Sequence, residues 1–225
     1  MTTRARLLST LLPAVLLLSP GAASADKITE PSTGHQFDSQ RTFDGKGYTL
    51  VGAGVRKKFV VKVYAMGLYV EDGDAKRAFP SLVSKAGGHE KAKLTEGDRA
   101  QSFIVWGQFG KAAVLHFVRD VDAGKVRGAF EDSLGEELSD KAPADVREAA
   151  QAFLKMIDRD VKNGEDFVVR TSADGKTEVT LGGQTKPGPQ NVKFARALWS
   201  VWLGGKPISK DLRGELVNRI DELGK

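Results

Sequence analysis

Residues 51–70 read VGAGVRKKFVVKVYAMGLYV, and this stretch holds the strongest β-strand pattern in the chain. From Phe59 to Val70 it is rich in β-branched and aromatic residues, which favour strands. Both alternating sets of side chains are mostly apolar, and Lys62 and Tyr64 are the polar exceptions on one of them. A strand that is apolar on both faces is typical of the interior of a covered sheet. The pattern therefore predicts a central strand at 59–70, with Phe59 and Val63 in the core.

A short basic cluster, Arg56-Lys57-Lys58, comes directly before that strand. Arg56 has two interpretations, because an unpaired buried charge is costly and a guanidinium suits a carboxylate. It either marks a solvated strand end, paired with an acidic neighbour, or it faces a ligand. Arg56 and Tyr64 have the same parity, but on a straight strand they would lie about 26 Å apart. Gly52, Gly54 and the polar break at 56–58 favour a turn that would bring the two side chains together.

The first 25 residues have the features of an export signal. Arg4 and Arg6 form a basic start, an apolar stretch broken by Pro13 follows, and Ala23-Ser24-Ala25 matches the small-residue cleavage pattern. We therefore predict cleavage after Ala25 and a periplasmic or secreted location. The apolar stretch is too short and too interrupted for a stable transmembrane span. Residues 26–45 are polar and predict a loose N-terminal arm, ahead of a single domain at 46–225.

Composition excludes several classes of protein. The net charge of +5 is mild and its charges are interspersed, so nucleic acid is not an expected partner. The absence of cysteine excludes disulfides, thiol catalysis and thiolate metal sites. The three histidines, His35, His89 and His116, are far apart and lack a metal-binding spacing. No hydrolase, phosphate-binding or dinucleotide-binding motif is complete, and we expect neither a metal nor a cofactor.

The order of the remaining patterns predicts an α+β domain. We expect a helix at 74–86, then strands at 101–106 and 112–118 joined as a hairpin, and two helices that begin near Asp122 and Pro143. A second hairpin, DFVVRT and TEVTLG, has Asp-Gly in its turn, and two helices follow, at 190–203 and from Ser209. This order lacks the strict strand–helix alternation of a parallel sheet. It predicts helices packed on one mostly antiparallel sheet.

Several of these segments resemble the chalcone isomerase-like family, and most closely its bacterial secreted members. The resemblance rests on GAGVR followed by KVYAMGLYV, on LHFVRDVDAGKVRGAFEDSL at 115–134, and on FARALWSVWLGGKPISKDL at 194–212. With the DFVVRT and TEVTLGG hairpin, it covers nearly all of the chain from Tyr48 onward. It implies an open-faced β-sandwich, in which a large antiparallel sheet is backed by a layer of helices.

The resemblance also implies a cleft and its lining residues. In the plant enzymes of the family, which close a chalcone to a flavanone, an arginine at the position of Arg56 polarises the carbonyl. A threonine at the position of Tyr64 helps a water to bond the ketone. A tyrosine and an asparagine of the enzymes fall near Asp122 and Ala129 here, so both are replaced. A polar threonine falls near Val201, with Trp202 beside it.

The family includes enzymes and fatty-acid-binding relatives, and three functions stay open. The leading hypothesis is a binding protein that holds a small amphipathic acid, such as a fatty acid, with Arg56, Tyr64 and Trp202 in the ligand site. One alternative is an isomerase or intramolecular lyase acting on a conjugated carbonyl compound, with Arg56 as its candidate catalytic residue. The other is a ligand-free structural protein, which requires that no enclosed cleft exists.

Overall fold

The computed structural model describes residues 26–225, and the predicted leader at 1–25 lies outside them. The strands are β1 (Lys27–Thr29), β2 (Gln36–Asp38), β3 (Gln40–Phe43), β4 (Lys46–Lys58), β5 (Val61–Glu71), β6 (Lys111–Phe117), β7 (Asp166–Thr171), β8 (Lys176–Leu181) and β9 (Gln184–Gln190). The helices are α1 (Asp72–Ala86), α2 (Lys91–Leu94), α3 (Arg99–Trp106), α4 (Ala123–Ser133), α5 (Gly135–Leu138), α6 (Ala144–Met156), α7 (Val192–Leu203) and α8 (Lys210–Glu215), followed by a 3₁₀ turn at Ile220–Gly224.

Strands β3 to β9 form one curled antiparallel sheet in which neighbours in the chain are neighbours in the sheet. β1 and β2 form a separate two-stranded sheet. The predicted α+β class, a large antiparallel sheet backed by helices, is confirmed. Within residues 26–225, no helix is both long and apolar enough to cross a bilayer.

The two faces of β5 enter different cores. Tyr64, Met66 and Leu68 pack toward the helices, among the large aromatic side chains of α6 and α7. Ala65 and Tyr69 pack on the opposite face, in a smaller cluster that Phe37 of β2 helps to cover. The prediction that this strand is covered on both sides is therefore right for 64–70.

The first two residues of the predicted strand at 59–70 form a turn instead. β4 and β5 pair as a long hairpin whose turn is Phe59-Val60, with Lys58 opposite Val61. Phe59 is 92 % exposed and Val60 is 90 % exposed, so the prediction that Phe59 lies in the core is wrong. Val63 is partly buried against the helix-side core. An aromatic and a β-branched residue, which favour strands, occupy the turn itself. The composition of the segment therefore does not reveal the turn.

The glycines ahead of Arg56 do not form the expected turn, because they lie within β4. A Cβ atom on Gly52 would overlap the backbone of Leu216, and one on Gly54 would overlap the side chain of Glu215. The backbone N–H of Arg219 also donates to the carbonyl of Val51 at 2.9 Å. Glycine at these positions therefore allows the C-terminal segment to approach the sheet closely.

Residues 26–45 are not the loose arm that their polar composition predicts. β3 pairs with β4 at the edge of the main sheet, and β1 pairs with β2. Phe37 is almost fully buried, and the carboxylate of Glu30 accepts bonds from the backbone N–H groups of Ser32 and Thr33. One buried aromatic and a few local hydrogen bonds therefore order a segment with little apolar content.

Two further segments differ from the sequence-based expectation. QSFIVW at 101–106 is part of α3 rather than a strand, and a short loop at 107–110 connects it to β6, so no hairpin forms. Its buried residues, Gln101, Ile104 and Val105, follow helical spacing, which a short apolar run does not distinguish from a strand. β9 was not predicted, because QTKPGPQ contains two prolines, which a sheet tolerates only at an edge.

Candidate functional site

A cavity of about 740 Å³ lies between the sheet and α4, beside the turn of the β4–β5 hairpin. Its inner wall is largely apolar. The apolar lining comes from Val63, Leu115, Phe117, Val121, Val126, Ala129, Phe130, Trp202 and Ile208. Pockets of about 300–1,000 Å³ with apolar walls and a few polar groups are typical of small-molecule sites.

Arg56 and Tyr64 are directly opposite each other in this cavity. They are register partners across β4 and β5, so both side chains project from the same face of the sheet. A register irregularity follows at once between Arg56 and Lys57. Sequence analysis required a bend or turn between the two residues for their side chains to meet, and antiparallel pairing around the turn at 59–60 places them opposite each other. A bend at the glycines is not involved.

The guanidinium of Arg56 is incompletely paired. Its Nε atom is buried and lacks a hydrogen-bond partner among residues 26–225. No carboxylate within the described part of the chain forms an ion pair with Arg56, which the strand-end interpretation required. A buried polar atom that stays unpaired costs free energy, so this donor is available to a group that enters the cavity.

Tyr64 lies beside the arginine and is fixed by α7. The Nε1–H of Trp202 donates to the Tyr64 hydroxyl at 3.2 Å. Burial raises the pKa of Tyr64 to about 12, although the charge of Arg56 acts in the opposite direction. The phenol is therefore neutral at physiological pH, and its own proton can be donated into the cavity.

The mouth of the cavity carries more positive than negative charge. Lys58, Arg119 and Lys125 line it together with Asp120 and Asp132. Two of these groups have charged partners: Lys125 pairs with Asp122 at 2.5 Å, and the carboxylate of Asp120 lies 3.5 Å from Lys162. A positive mouth with an arginine behind it favours the entry of an anionic head group.

Only some of the positions implied by the family resemblance line the cavity. Ala129 lines the cavity on α4 and supplies no polar group. Asp122 precedes α4 on the exposed surface and is not part of the cavity wall, whereas Val201 is buried in the core. Sequence analysis missed Arg119 and Ser133, because a single charged or hydroxyl residue beside a strand or helix end has no distinctive pattern.

A separate polar cluster lies on the opposite face of the sheet. His35 and His116 stack with ring centres 3.7 Å apart and planes 16° apart, and His116 Nδ1 lies 2.8 Å from Asp166 Oδ1. They form the one potential metal-ligand group in the described residues. An imidazole binds a metal in its ring plane, and face-to-face rings cannot both point at one ion without rotating. Burial and His116 lower the pKa of His35, and we interpret the cluster as a stacked pair oriented by Asp166.

Comparisons with known proteins identify the family of this chain. The model of a family described as chalcone isomerase-like matches residues 30–90 and 93–218. The chain belongs to the chalcone isomerase-like family. A family relative, fatty-acid-binding protein 1 of Arabidopsis thaliana, is 22 % identical over 212 residues, which covers 88 % of this chain and 72 % of the relative.

A solved structure of the chalcone isomerase-like fold also matches. The crystal structure of an Arabidopsis thaliana fatty-acid-binding protein superposes with a TM-score of 0.70 at 19 % identity, covering 88 % of this chain and 98 % of that chain. Within this family fold, Arg56, Tyr64 and Trp202 meet at one cavity. The arrangement offers two hydrogen-bond donors, one of them charged, at the head of an apolar enclosure.

Proposed function

We propose that this chalcone isomerase-like chain binds a small amphipathic acid, such as a fatty acid. The carboxylate would accept hydrogen bonds from the Arg56 guanidinium and the Tyr64 hydroxyl, and the tail would lie along the apolar wall. The observation that carries the proposal is the buried Nε of Arg56, which has no hydrogen-bond partner within residues 26–225 and lies beside a neutral tyrosine in the cavity. The name of the Arabidopsis relative, fatty-acid-binding protein 1, supports the same class of ligand.

The energetic logic favours an acid over a neutral lipid. A carboxylate would supply the partner that Arg56 lacks, and charge-assisted bonds to a guanidinium are about twice as strong as neutral ones. An alcohol or ester of the same length would bury the same tail but would lack the charge-assisted bond to Arg56. Selectivity for the acid is therefore a sharper test than affinity alone.

The test is a titration of the delipidated protein with a long-chain fatty acid and with the matching alcohol. Arg56→Met should weaken acid binding by about 10- to 100-fold, the range that a lost charge-assisted bond predicts. Arg56→Lys should be intermediate, because lysine keeps the charge and loses the planar fork. Alcohol binding should change little in either variant.

Lys57→Met is the matched control, since Lys57 is the exposed neighbour and does not line the cavity. Its affinity for the acid should stay within about twofold of the parent, as expected for a solvated charge. Equal acid affinities for the parent and Arg56→Met would refute the proposed head-group site. Native mass spectrometry of freshly purified protein should also reveal a co-purified acid.

The isomerase alternative uses the same two donors on a conjugated ketone. We expect chalcone turnover to be absent or trace, because Arg56 and Tyr64 offer only part of the donor set for a developing oxyanion. Ala129 supplies no polar group to orient a substrate from the helix side. Stereoselective loss of chalcone absorbance that Arg56→Met abolishes would favour the isomerase. The ligand-free structural alternative required a chain without a cleft, and the cavity argues against it.

We also propose that the chain is exported. The support is the co-occurrence of a basic start, an apolar stretch and the Ala23-Ser24-Ala25 pattern in the sequence. Protein recovered from cells should begin at Asp26 and fractionate outside the cytoplasm. N-terminal sequencing of recovered protein that finds residues 1–25 intact would contradict this.

A further inference from the structure

The turn of the β4–β5 hairpin exposes a concentrated apolar surface. Phe59 and Val60 are 92 % and 90 % exposed, and Val61 beside them is 41 % exposed. Among residues 26–225, the other large exposed apolar side chains are not consecutive in the chain: Trp106 lies under the guanidinium of Arg196, and Val192 begins α7. Consecutive apolar side chains at a projecting turn mark an interaction site.

The backbone of the turn carries a cost that the fold does not offset. Phe59 has φ of 57°, a left-handed conformation that is unfavourable for an aromatic residue. The hairpin turn at the other end of β4 uses Asp44 and Gly45 for its two positive φ values, as turn chemistry favours. A strained phenylalanine that is almost fully exposed gains little from packing, which points to a role outside the chain.

Three lysines surround the apolar turn. Lys57 and Lys58 precede it and have no ion-pair partner in the described part of the chain, and Lys62 follows it. The Lys62 ammonium donates to the backbone carbonyl of Ser32. Among the acids near the tip, Glu215 accepts a bond from the backbone N–H of Val55 at 3.0 Å, and Asp120 at the cavity mouth pairs with Lys162. Aromatic and aliphatic side chains ringed by lysines complement an anionic bilayer, where the apolar groups insert and the ammonium groups meet phosphates.

We propose that this tip, defined as Lys57–Lys62, docks on an anionic lipid bilayer. Phe59 and Val60 would enter the boundary between head groups and acyl chains, with the lysines at the phosphate level. The charge argues against a second copy as the occupant, because a symmetric contact between two tips would bring six lysines together. Docking itself does not depend on the proposed ligand.

The tip is continuous with the cavity, which gives docking a consequence. Lys58, Phe59 and Val61 form part of the cavity lining, so a docked tip places the mouth against the membrane surface. An acid could then pass between bilayer and cavity without crossing water. This consequence rests on the proposed function, whereas docking is a separate property of the tip.

The experiment is flotation of the mature protein with vesicles that contain no free fatty acid. The parent should float with phosphatidylcholine vesicles that contain about 30 mol % phosphatidylglycerol and remain unbound with pure phosphatidylcholine, as expected for anionic-lipid attraction. Raising the salt from about 0.05 to about 0.5 M should release much of the bound protein, since screening shortens the Debye length.

Two variants separate the apolar and charged contributions. The double variant Phe59→Ser/Val60→Ser should bind anionic vesicles at least about tenfold more weakly, because the inserting groups are removed. Lys57→Gln/Lys58→Gln should also bind more weakly and lose most of its salt dependence. Val192→Ser removes an exposed valine that belongs neither to the tip nor to the cavity lining, and this variant should float like the parent. All four side chains changed at the tip are exposed, so circular dichroism should show folded protein.

Clear outcomes would overturn the proposal. Parent protein that stays unbound at low salt, or serine and glutamine variants that bind like the parent, would exclude docking through the tip. Concentration-dependent dimers that the serine variant abolishes, without vesicle binding, would show a second copy as the occupant. Arg56→Met tests the proposed function independently: it should lose acid binding in vesicle-free solution and still float.

Discussion

In the base half of the β4–β5 hairpin, Gly52 and Gly54 lie beneath residues 215–216, whereas at its tip Phe59 and Val60 contact solvent. The base uses the smallest residue where another backbone must come close. The tip places a large aromatic residue where glycine is preferred, at the first residue of a two-residue turn with positive φ. Packing within the chain explains the residues of the base, and it leaves the residues of the tip unexplained.

This difference indicates that one hairpin serves two purposes. Its base joins the sheet to the C-terminal segment and fixes the strand from which Arg56 projects, through the bond between Val55 and Glu215. Its tip gives up local stability and presents apolar and basic groups beside the cavity mouth. If the comparison is right, substitutions at the base should act on folding, and substitutions at the tip should act on binding.

The largest effect is expected at Gly52. A Cβ atom there would overlap backbone atoms of Leu216, which cannot move as a flexible side chain would. Gly52→Ala should lower the free energy of unfolding by about 3 kcal/mol, as for an overpacked core. The matched control is Gly214→Ala in α8, where a Cβ meets no atom within 4 Å and helix propensity should add up to about 1 kcal/mol. Urea denaturation measures both, and equal stabilities would contradict the close-approach explanation.

A second test at the base uses the buried Lys111, which pairs with Val70 of β5. Its ammonium donates to the carbonyls of Gly107 and Phe109 at 2.8 and 3.2 Å, and burial lowers its pKa to about 7. Since the unfolded chain then binds more protons between pH 7 and about 10.4, stability of the parent should rise with pH across that window.

Lys111→Met removes this titration and should flatten the slope by up to about 1.4 kcal/mol per pH unit. The variant should therefore be relatively most stable below pH 7, although two carbonyls lose a donor. Lys57→Met at the tip is the comparison, and it should change the free energy of unfolding by less than about 0.5 kcal/mol. Denaturation curves collected from pH 6 to about 10 decide the matter, and parallel curves for the parent and Lys111→Met would be inconsistent with a buried, neutralised lysine.

Substitution of Tyr64, which lies between the base and the tip of the hairpin, should affect both folding and binding. Tyr64→Phe leaves the buried Trp202 Nε1–H without its acceptor, which should cost about 1–2 kcal/mol of folding free energy and weaken acid binding. Tyr69→Phe is the matched control: it loses a 2.9 Å bond to the Asp38 carbonyl on the other face of the sheet. The control should lose similar stability and keep its acid affinity. A loss of affinity in both variants would mean that the effect is general destabilisation.

Sequence reasoning identified the class of the fold because long patterns dominate it. The two-sided apolar run of β5, the Asp-Gly hairpin of β7 and β8, and the helical stripe after Pro143 each contain enough residues to define a period. Short segments were ambiguous. α3 has a β-like composition over a few residues, and β9 is a polar edge strand whose hydrogen bonds to β8 have no signature in its own residues.

The candidate site was predictable in part. Arg56 and Tyr64 were expected to meet, and the family resemblance implied both positions. The path between them was wrong because Phe59-Val60 does not resemble a turn, whereas Gly52 and Gly54 do. The cavity wall from α4 depends on how a helix packs over the sheet, and local sequence does not determine that distance. Residues that serve binding can differ from those that the local backbone prefers. Predictions from local sequence patterns are therefore least accurate at such residues.

The smallest effect, and the one that most sharpens the comparison, is at the turn itself. Phe59→Gly should raise the free energy of unfolding by up to about 1 kcal/mol, because glycine adopts a positive φ without the Cβ penalty. Val60→Gly, one residue further, should lower it by about 0.5–1 kcal/mol, because Val60 does not have a positive φ and glycine only adds disorder to the unfolded chain.

Both glycine variants should bind anionic vesicles more weakly than the parent, since each removes an inserting side chain. Stability and binding should therefore change in opposite directions at Phe59 and in the same direction at Val60. Thermal denaturation and flotation on the same protein samples test this pairing. A Phe59→Gly variant that unfolds more easily would show that phenylalanine contributes to the fold. The tip would then be a second packed region, and the contrast with the base would no longer hold.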